Sequence, residues 1–363
     1  MRAWRVKADF TRELVDLPIP EPAESGVVVR MQSAPVLSYL REVIEGSLGY
    51  LLPPAPFTPG TNGIGVVQSV GPGVRHLMPG QRVLLDPRFV VDERVREPAQ
   101  ILIGLTATRS SFGGIADVAK ALQQDWREGT FAEYAHMPAS VLTPMPHALD
   151  AVPGERLVGL SKFAVPYGGL IRAQLSAGET VIVNGASGYF GSAGVLVALA
   201  MGASRVVAAG RDQAALTAVA AAGGRRVVVV TLGGDVVADS TAIIDAAGGR
   251  ADVGLDLVGR ASSAASTEST LRALRRGGRL VMMGSSSEPL ELGFYDMLAN
   301  DWHVIGCFMY PKDAPARLTL LVEGGLLDLG AVHVRTFALP ELEQALDAAA
   351  GMRGLELTAL VMT

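Results

Sequence analysis

The chain has 363 residues, room for two domains at roughly one per ~150 residues. Its 31 Lys and Arg against 36 Asp and Glu leave a formal net charge of −5 with no basic block, which excludes a nucleic-acid binder led by electrostatics, and 49% hydrophobic against 18% charged residues excludes a disordered chain. A single cysteine, Cys307, excludes an internal disulfide and any zinc site built on several thiolates.

The opening residues Met1–Lys7 lack the apolar core of a signal peptide. From there to about residue 150 the runs Val27–Met31, Gly65–Val70 and Arg82–Leu85 look like short strands. The turn signals Pro53-Pro54, Pro59-Gly60, Gly71-Pro72-Gly73 and Pro79-Gly80 punctuate them, which predicts a small β-rich barrel or sandwich. Segment 88–128 is longer, with an apolar run Ile101–Leu105 and a helix expected over 116–124.

From about 160 to 308 the texture changes. Strand-like runs at Thr180–Val183, Arg205–Ala209, Arg226–Val230, Val253–Val258, Arg279–Met283 and His303–Gly306 alternate with Ala/Leu-rich helical segments. Alternation of this kind predicts a parallel, doubly wound sheet whose buried strands read as continuous apolar runs, in keeping with a mean hydropathy of +0.32. Six strands match the two-halved dinucleotide-binding form. The longest apolar stretch, Ala193–Ala203, is shorter than the ~18 residues of a membrane span. With no export signal, the expectation is a cytoplasmic protein without a membrane partner. Residues 309–363 carry two helix candidates, 314–324 and 340–350, and a last strand over 359–362.

The first strand of the alternating region runs into Asn184-Gly185-Ala186-Ser187-Gly188-Tyr189-Phe190-Gly191, followed by an apolar helix. Gly185, Gly188 and Gly191 at this spacing suit a tight turn, a close backbone approach to a pyrophosphate and helix N–H groups facing the anion. The end of the second strand selects the dinucleotide. Where an NAD site carries an acid for the ribose 2′-hydroxyl, this chain has Gly210 followed by Arg211. Glycine leaves room for a 2′-phosphate and arginine can pair with it, so NADP(H) is the expected cofactor. The alternatives are that Arg211 is a solvated surface residue with Asp212 capping the next helix, or that Asp212 takes the ribose.

Several segments in the same order resemble the medium-chain dehydrogenase/reductase superfamily over essentially the whole chain. They are Pro18–Pro22, Val27–Arg30, Pro56–Val67, Val70–Val74, Pro79–Val83 and Gly129–Tyr134, together with the glycine turn. The resemblance implies an α/β fold: a Rossmann doubly wound parallel sheet over 161–308, inserted into a GroES-like β-rich catalytic domain of 1–160 and 309–363. It also implies cofactor contacts from Gly185, Ser187, Gly188, Tyr189, Phe190, Gly191, Gly210 and Arg211. Gly284 and Ser285 after the fifth strand, and Cys307 and Phe308 after the sixth, would add to them, with Asp256 and Gly259 at the cleft edge. In this family the sixth strand commonly pairs with that of a second copy, so Trp302–Phe308 is the expected homodimer edge.

The departures carry the most chemistry. Aligning the motifs puts Leu37, the Thr61-Asn62 pair and Leu160 where zinc-dependent members hold the metal, and the segment 88–128 stands in place of a four-cysteine lobe. The five histidines, His76, His136, His147, His303 and His333, are scattered without an i, i+4 pair. No metal is expected. The resemblance is then to the zinc-independent branch of quinone oxidoreductases and enone reductases, in which hydride passes to an acceptor whose negative charge is delocalised, a conjugated carbonyl or a quinone. Candidate hydrogen-bond or proton donors are Tyr39, Ser38 and Asn62, with water as a further proton source. Packing explains Tyr39 and a turn explains Asn62 equally simply. Lys162, just after Leu160, could present a charge near the nicotinamide ribose or substrate, but reads more simply as a surface or helix-capping residue, and Cys307 reads as an inert strand thiol. Reduction of a ketone or imine, and NADPH binding without turnover, are the alternative functions.

Overall fold

The computed structural model describes residues 1–91, 94–108, 117–286 and 288–362. The chain forms two compact units: Met1–Ser161, Val334–Met352 and Leu357–Thr363 make one, Lys162–His333 and Arg353–Glu356 the other.

The first unit is organised by an eleven-residue strand, Gly26–Val36, buried along almost its whole length. Val, Met and Ala dominate it, residues that suit a pleated surface covered on both faces. It pairs antiparallel with Gly63–Val70 (Val27 opposite Val70), with Tyr134–Pro138 (Val28 opposite His136) and with Glu356–Val361 (Leu360 opposite Ala34). Together with Arg82–Leu85, Leu142–Pro144 and His333–Ala338 these make a seven-stranded sheet. Val27, Val29, Met31, Val83, Leu85 and Met137 fill its core. Segment 88–128 forms a separate three-stranded antiparallel sheet, Arg88–Val90, Gln100–Leu102 and Thr106–Ala107, followed by a helix over Asp117–Asp125. Residue 116, the expected start of that helix, lies outside the described residues.

The second unit holds six parallel strands, β1 (Thr180–Asn184), β2 (Arg205–Gly210), β3 (Val227–Thr231), β4 (Ala251–Asp256), β5 (Leu274–Met282) and β6 (His303–Gly306). Their order across the sheet is β3-β2-β1-β4-β5-β6. That is the doubly wound dinucleotide-binding order, whose direction reverses between β1 and β4 and opens a crevice at the carboxyl ends of the strands. Helices α1 (Leu160–Arg172), α2 (Tyr189–Ala200), α3 (Gln213–Gly223), α4 (Val236–Ala247) and α5 (Ala265–Arg272) accompany them. Helix α2 is buried from Tyr189 through Leu199 apart from Phe190, as a helix apolar on all sides must be. Asp235 caps α4 by accepting from the backbone N–H groups of Val237 and Ala238.

Residue 308 is the expected end of this unit, yet the unit runs on to His333. The backbone of Met309 and Tyr310 packs onto Gly168 of α1, where a Cβ has no room, and the Arg317 guanidinium lies 5.5 Å from the centre of the Tyr167 ring. These contacts hold the segment after β6 against α1.

Candidate functional site

Strand β1 ends in a turn that only glycine completes. Gly185 has φ +83°, in the left-handed region. Its N–H and that of Ala186 both donate to the Ala209 carbonyl of β2, at 3.0 and 2.9 Å, and the Gly188 N–H closes the turn on the Gly185 carbonyl at 2.9 Å. Gly191 lies so close that a Cβ there would collide with the Gly185 carbonyl oxygen. The helix therefore starts hard against the strand end. Gly188 occupies its N-cap without a side-chain hydrogen bond, which leaves first-turn N–H groups for an anion. No observation of the turn conflicts with a dinucleotide pyrophosphate, and the crowding at Gly191 fits one.

At the end of β2 the structure brings Gly210 onto this turn: a Cβ on Gly210 would stand 2.8 Å from the Ser187 Oγ. An acidic side chain at 210 would have to push the Ser187 hydroxyl aside. Arg211 is exposed and, among the described residues, makes no ion pair. Asp212 is committed elsewhere. It caps α3 by accepting from the Ala215 N–H at 3.1 Å and pairs with Arg353 Nη1 at 3.1 Å. The Ala215 hydrogen bond first, then the Arg353 charge, hold its carboxyl below the usual aspartate range. Asp212 thus caps helix α3 and pairs with Arg353.

A second group gathers at the carboxyl ends of β4, β5 and β6. The Gly284 N–H donates to the Asp256 carbonyl at 3.1 Å, and a Cβ on Gly284 would strike the Val258 carbonyl. Gly259 faces Ser285, whose Oγ is 3.2 Å from where a Cβ would be. The Cys307 N–H continues the ladder to the Met282 carbonyl at 3.0 Å, its Sγ is directed to the Met309 carbonyl, and Phe308 is exposed. At the point where the sheet reverses, Asn184 and Asp256 are register partners, joined by Asn184 Nδ2 to Asp256 Oδ2 at 3.1 Å. Burial raises the Asp256 carboxyl above the usual aspartate range, against hydrogen bonds from Thr267, the Val258 N–H and Asn184.

Lys162 corrects the surface expectation. It is fully buried, with Nζ 3.6 Å from the centre of the Tyr189 ring and donating to the Glu356 carbonyl at 3.2 Å. Burial pushes its ammonium well below the ordinary lysine range, opposed by the Glu356 charge. Tyr189, the first residue of α2, also meets Phe190 edge-on at 4.8 Å between ring centres. The sequence carries no mark of this contact, because Glu356 lies 194 positions away.

In the first unit, Ser38 and Tyr39 form the turn before the short helix Leu40–Ile44, both half-buried, and the Tyr39 ring lies 6.2 Å from that of Tyr50. Asn62 is tied to backbone. Its Nδ2 donates to the Leu85 carbonyl at 3.3 Å, and its own carbonyl accepts from Thr130 Oγ1 at 3.0 Å. Leu37, Thr61 and Leu160 are buried, and Thr61 Oγ1 has no hydrogen-bond partner among the described residues. These residues do not fit a zinc ion: two leucines and a hydroxyl offer neither thiolate nor imidazole. Among the described residues no three His, Cys, Asp or Glu side chains converge elsewhere.

Comparison with known proteins now bears on the whole chain. Residues 23–147 match the alcohol dehydrogenase GroES-like domain, and residues 190–323 match the zinc-binding dehydrogenase family. The chain belongs to the medium-chain dehydrogenase/reductase superfamily. An alcohol dehydrogenase of Moraxella sp. (strain TAE123) is 27% identical over 79% of this chain and 78% of its own. A quinone oxidoreductase of Mus musculus is 25% identical over 80% of this chain and 74% of its own. The fold is shared with a candidate zinc-binding dehydrogenase from Sinorhizobium meliloti 1021, solved bound to NADP: TM-score 0.78, 22% identity, covering 99% of this chain and 98% of that one. Membership makes this chain a nicotinamide-dependent oxidoreductase, with a GroES-like domain and a Rossmann sheet. No helix among the described residues is long and apolar enough to cross a membrane.

Proposed function

We propose that this medium-chain reductase uses NADPH to reduce a conjugated carbonyl, an enone or enal, or a quinone, without a catalytic zinc. The observation that carries the reading is the donor set. Leu37, Thr61, Asn62 and Leu160 stand where the resemblance places metal ligands, and they cannot polarise a carbonyl as a zinc ion does. An acceptor that delocalises its own charge asks less of the protein. It needs alignment with the donor and one hydrogen bond to the developing oxyanion.

The cofactor, when bound, supplies the hydride. The chain's own contributions are the Gly185–Gly191 turn for the pyrophosphate, and Arg211 beside Gly210 for a 2′-phosphate. The Tyr39 phenol is the assigned proton donor, with Ser38 and Asn62 as secondary hydrogen-bond donors. The match to an alcohol dehydrogenase favours a second reading, reduction of a simple ketone by the same side-chain acids.

Stereospecific NADPH consumption with a panel of enones, quinones and ketones separates the two readings, and elemental analysis of the pure protein accompanies it. Turnover of enones or quinones by metal-free protein is expected. Stoichiometric, tightly held zinc, or turnover of ketones alone, would overturn the proposal.

Homodimerisation belongs to the same proposal. Among the described residues strand β6 pairs only with β5, and Phe294, Tyr295 and Leu298 nearby are 87%, 76% and 65% exposed. A monomer by light scattering would remove that part.

A further inference from the structure

The four residues Arg353–Glu356 leave the first unit's sequence and belong to the second. They are fastened to the cofactor turn. The Gly354 N–H donates to the Ser187 carbonyl at 3.0 Å, and Ser192 Oγ of α2 donates to the Gly354 carbonyl at 2.6 Å. The Arg353 N–H is held by Glu356 Oε2 at 2.9 Å. So fixed, Arg353 directs Nη1 onto Asp212 Oδ2 at 3.1 Å while 75% of its side chain stays exposed. Asp212 is two residues from Gly210 and next to Arg211, the residue assigned to the 2′-phosphate.

The charges at this strand end therefore read Arg211 positive, Asp212 negative, Arg353 positive. Without Arg353, the Asp212 carboxylate, next to Arg211 in sequence, would stand uncompensated at this strand end and offset the Arg211 charge toward a 2′-phosphate dianion. It would also resemble the acid that accepts from an NAD ribose. As a surface ion pair the Arg353–Asp212 contact is worth little to stability. Its effect is on the field at the ligand.

We infer that Arg353 is a specificity-determining residue for the 2′-phosphate: it neutralises Asp212 and leaves a net positive strand end that selects NADPH over NADH. The inference rests on the NADPH reading above. It assigns to a residue near the C-terminus a role that the β2 end alone does not fill.

The test is titration of nicotinamide fluorescence with NADPH and with NADH on the full-length protein, in wild type, Arg353→Met, Arg353→Lys, Asp212→Asn and the Arg353→Met/Asp212→Asn pair. Asparagine still caps α3, so the Asp212 variant keeps the helix start. Arg353→Met is expected to lower the NADPH-over-NADH preference by about tenfold or more, the scale of a lost charge-assisted contact. Asp212→Asn added to it restores most of the preference, Arg353→Lys retains most of it, and the salt dependence of the preference flattens in Arg353→Met. If Arg353→Met weakens both cofactors equally, or leaves the preference intact in a wild type that favours NADPH, the inference fails and the cofactor reading stands. A wild type with no NADPH preference overturns both.

Discussion

The Gly185–Gly191 turn in the second unit and the Leu37–Asn62 positions in the first differ in what constrains them. The turn is set by backbone. Gly185 sits at a positive φ, Gly191 has a carbonyl where its Cβ would be, and the hydrogen bonds from Gly185 and Ala186 to Ala209 bind two strand ends together. Any side chain at those places breaks the geometry before it alters the chemistry. At Leu37, Thr61 and Leu160 the constraint is only burial, which a leucine or a threonine satisfies as well as a metal ligand does. The turn is thus written in the main chain, whereas the aligned ligand positions are filled by replaceable side chains.

The comparison can be broken at its strong end first. Gly191→Val should abolish measurable NADPH binding, a loss of ~100-fold or more and hence about 2.7 kcal/mol. Fluorescence titration reads it, with circular dichroism checking that the protein still folds; unchanged affinity would mean the turn is not the pyrophosphate seat. Arg211→Asp comes next. It should weaken NADPH by on the order of 100-fold and NADH far less, since it replaces a charge-assisted contact with repulsion. Equal losses for the two cofactors would refute the 2′-phosphate assignment.

On the other side of the comparison, Tyr39→Phe should lower kcat about 10²-fold with KM little changed, the range for loss of a positioned acid. Unchanged turnover would pass the proton to water. The smallest effect is expected at Lys162. Its folded-state pKa is depressed, so between that value and the ordinary lysine value the unfolded chain binds one proton that the folded chain does not. Stability should then rise with pH across this window, by about 1.4 kcal/mol per unit at most, and be weakest below it. Lys162→Met should remove that slope in denaturant titrations at several pH values; a slope that persists would place the ammonium elsewhere.

Much of the second unit was legible because each strand is apolar along its length and each connection carries its own turn chemistry. All six strand runs lie within a few residues of β1–β6, and the glycine spacing marks the β1–α2 turn. Helix starts were less clear. Helix α2 begins at Tyr189 and α4 at Val236, where polar and glycine residues mask the apolar pattern. In the first unit the strand Gly26–Val36 extends past the Val27–Met31 run, because Gln32 and Ser33 read as polar although the strand carries on through a register shift at Gln32 and pairs again at Ser33.

By itself, then, the sequence determined the fold class, the glycine turn after β1, the glycine in place of an acid at position 210 and the absence of thiolate or imidazole at the aligned ligand positions. Each is a local property, fixed by residue type and spacing along a few consecutive residues. Only the tertiary structure decided that Lys162 is buried over Tyr189, that Asp212 pairs with Arg353, and that Arg353–Glu356 is fastened to the Ser187 turn. Those contacts join residues 27 to 194 positions apart. Nothing in the local pattern encodes them, because burial and pairing of a polar group depend on what the rest of the chain brings to it.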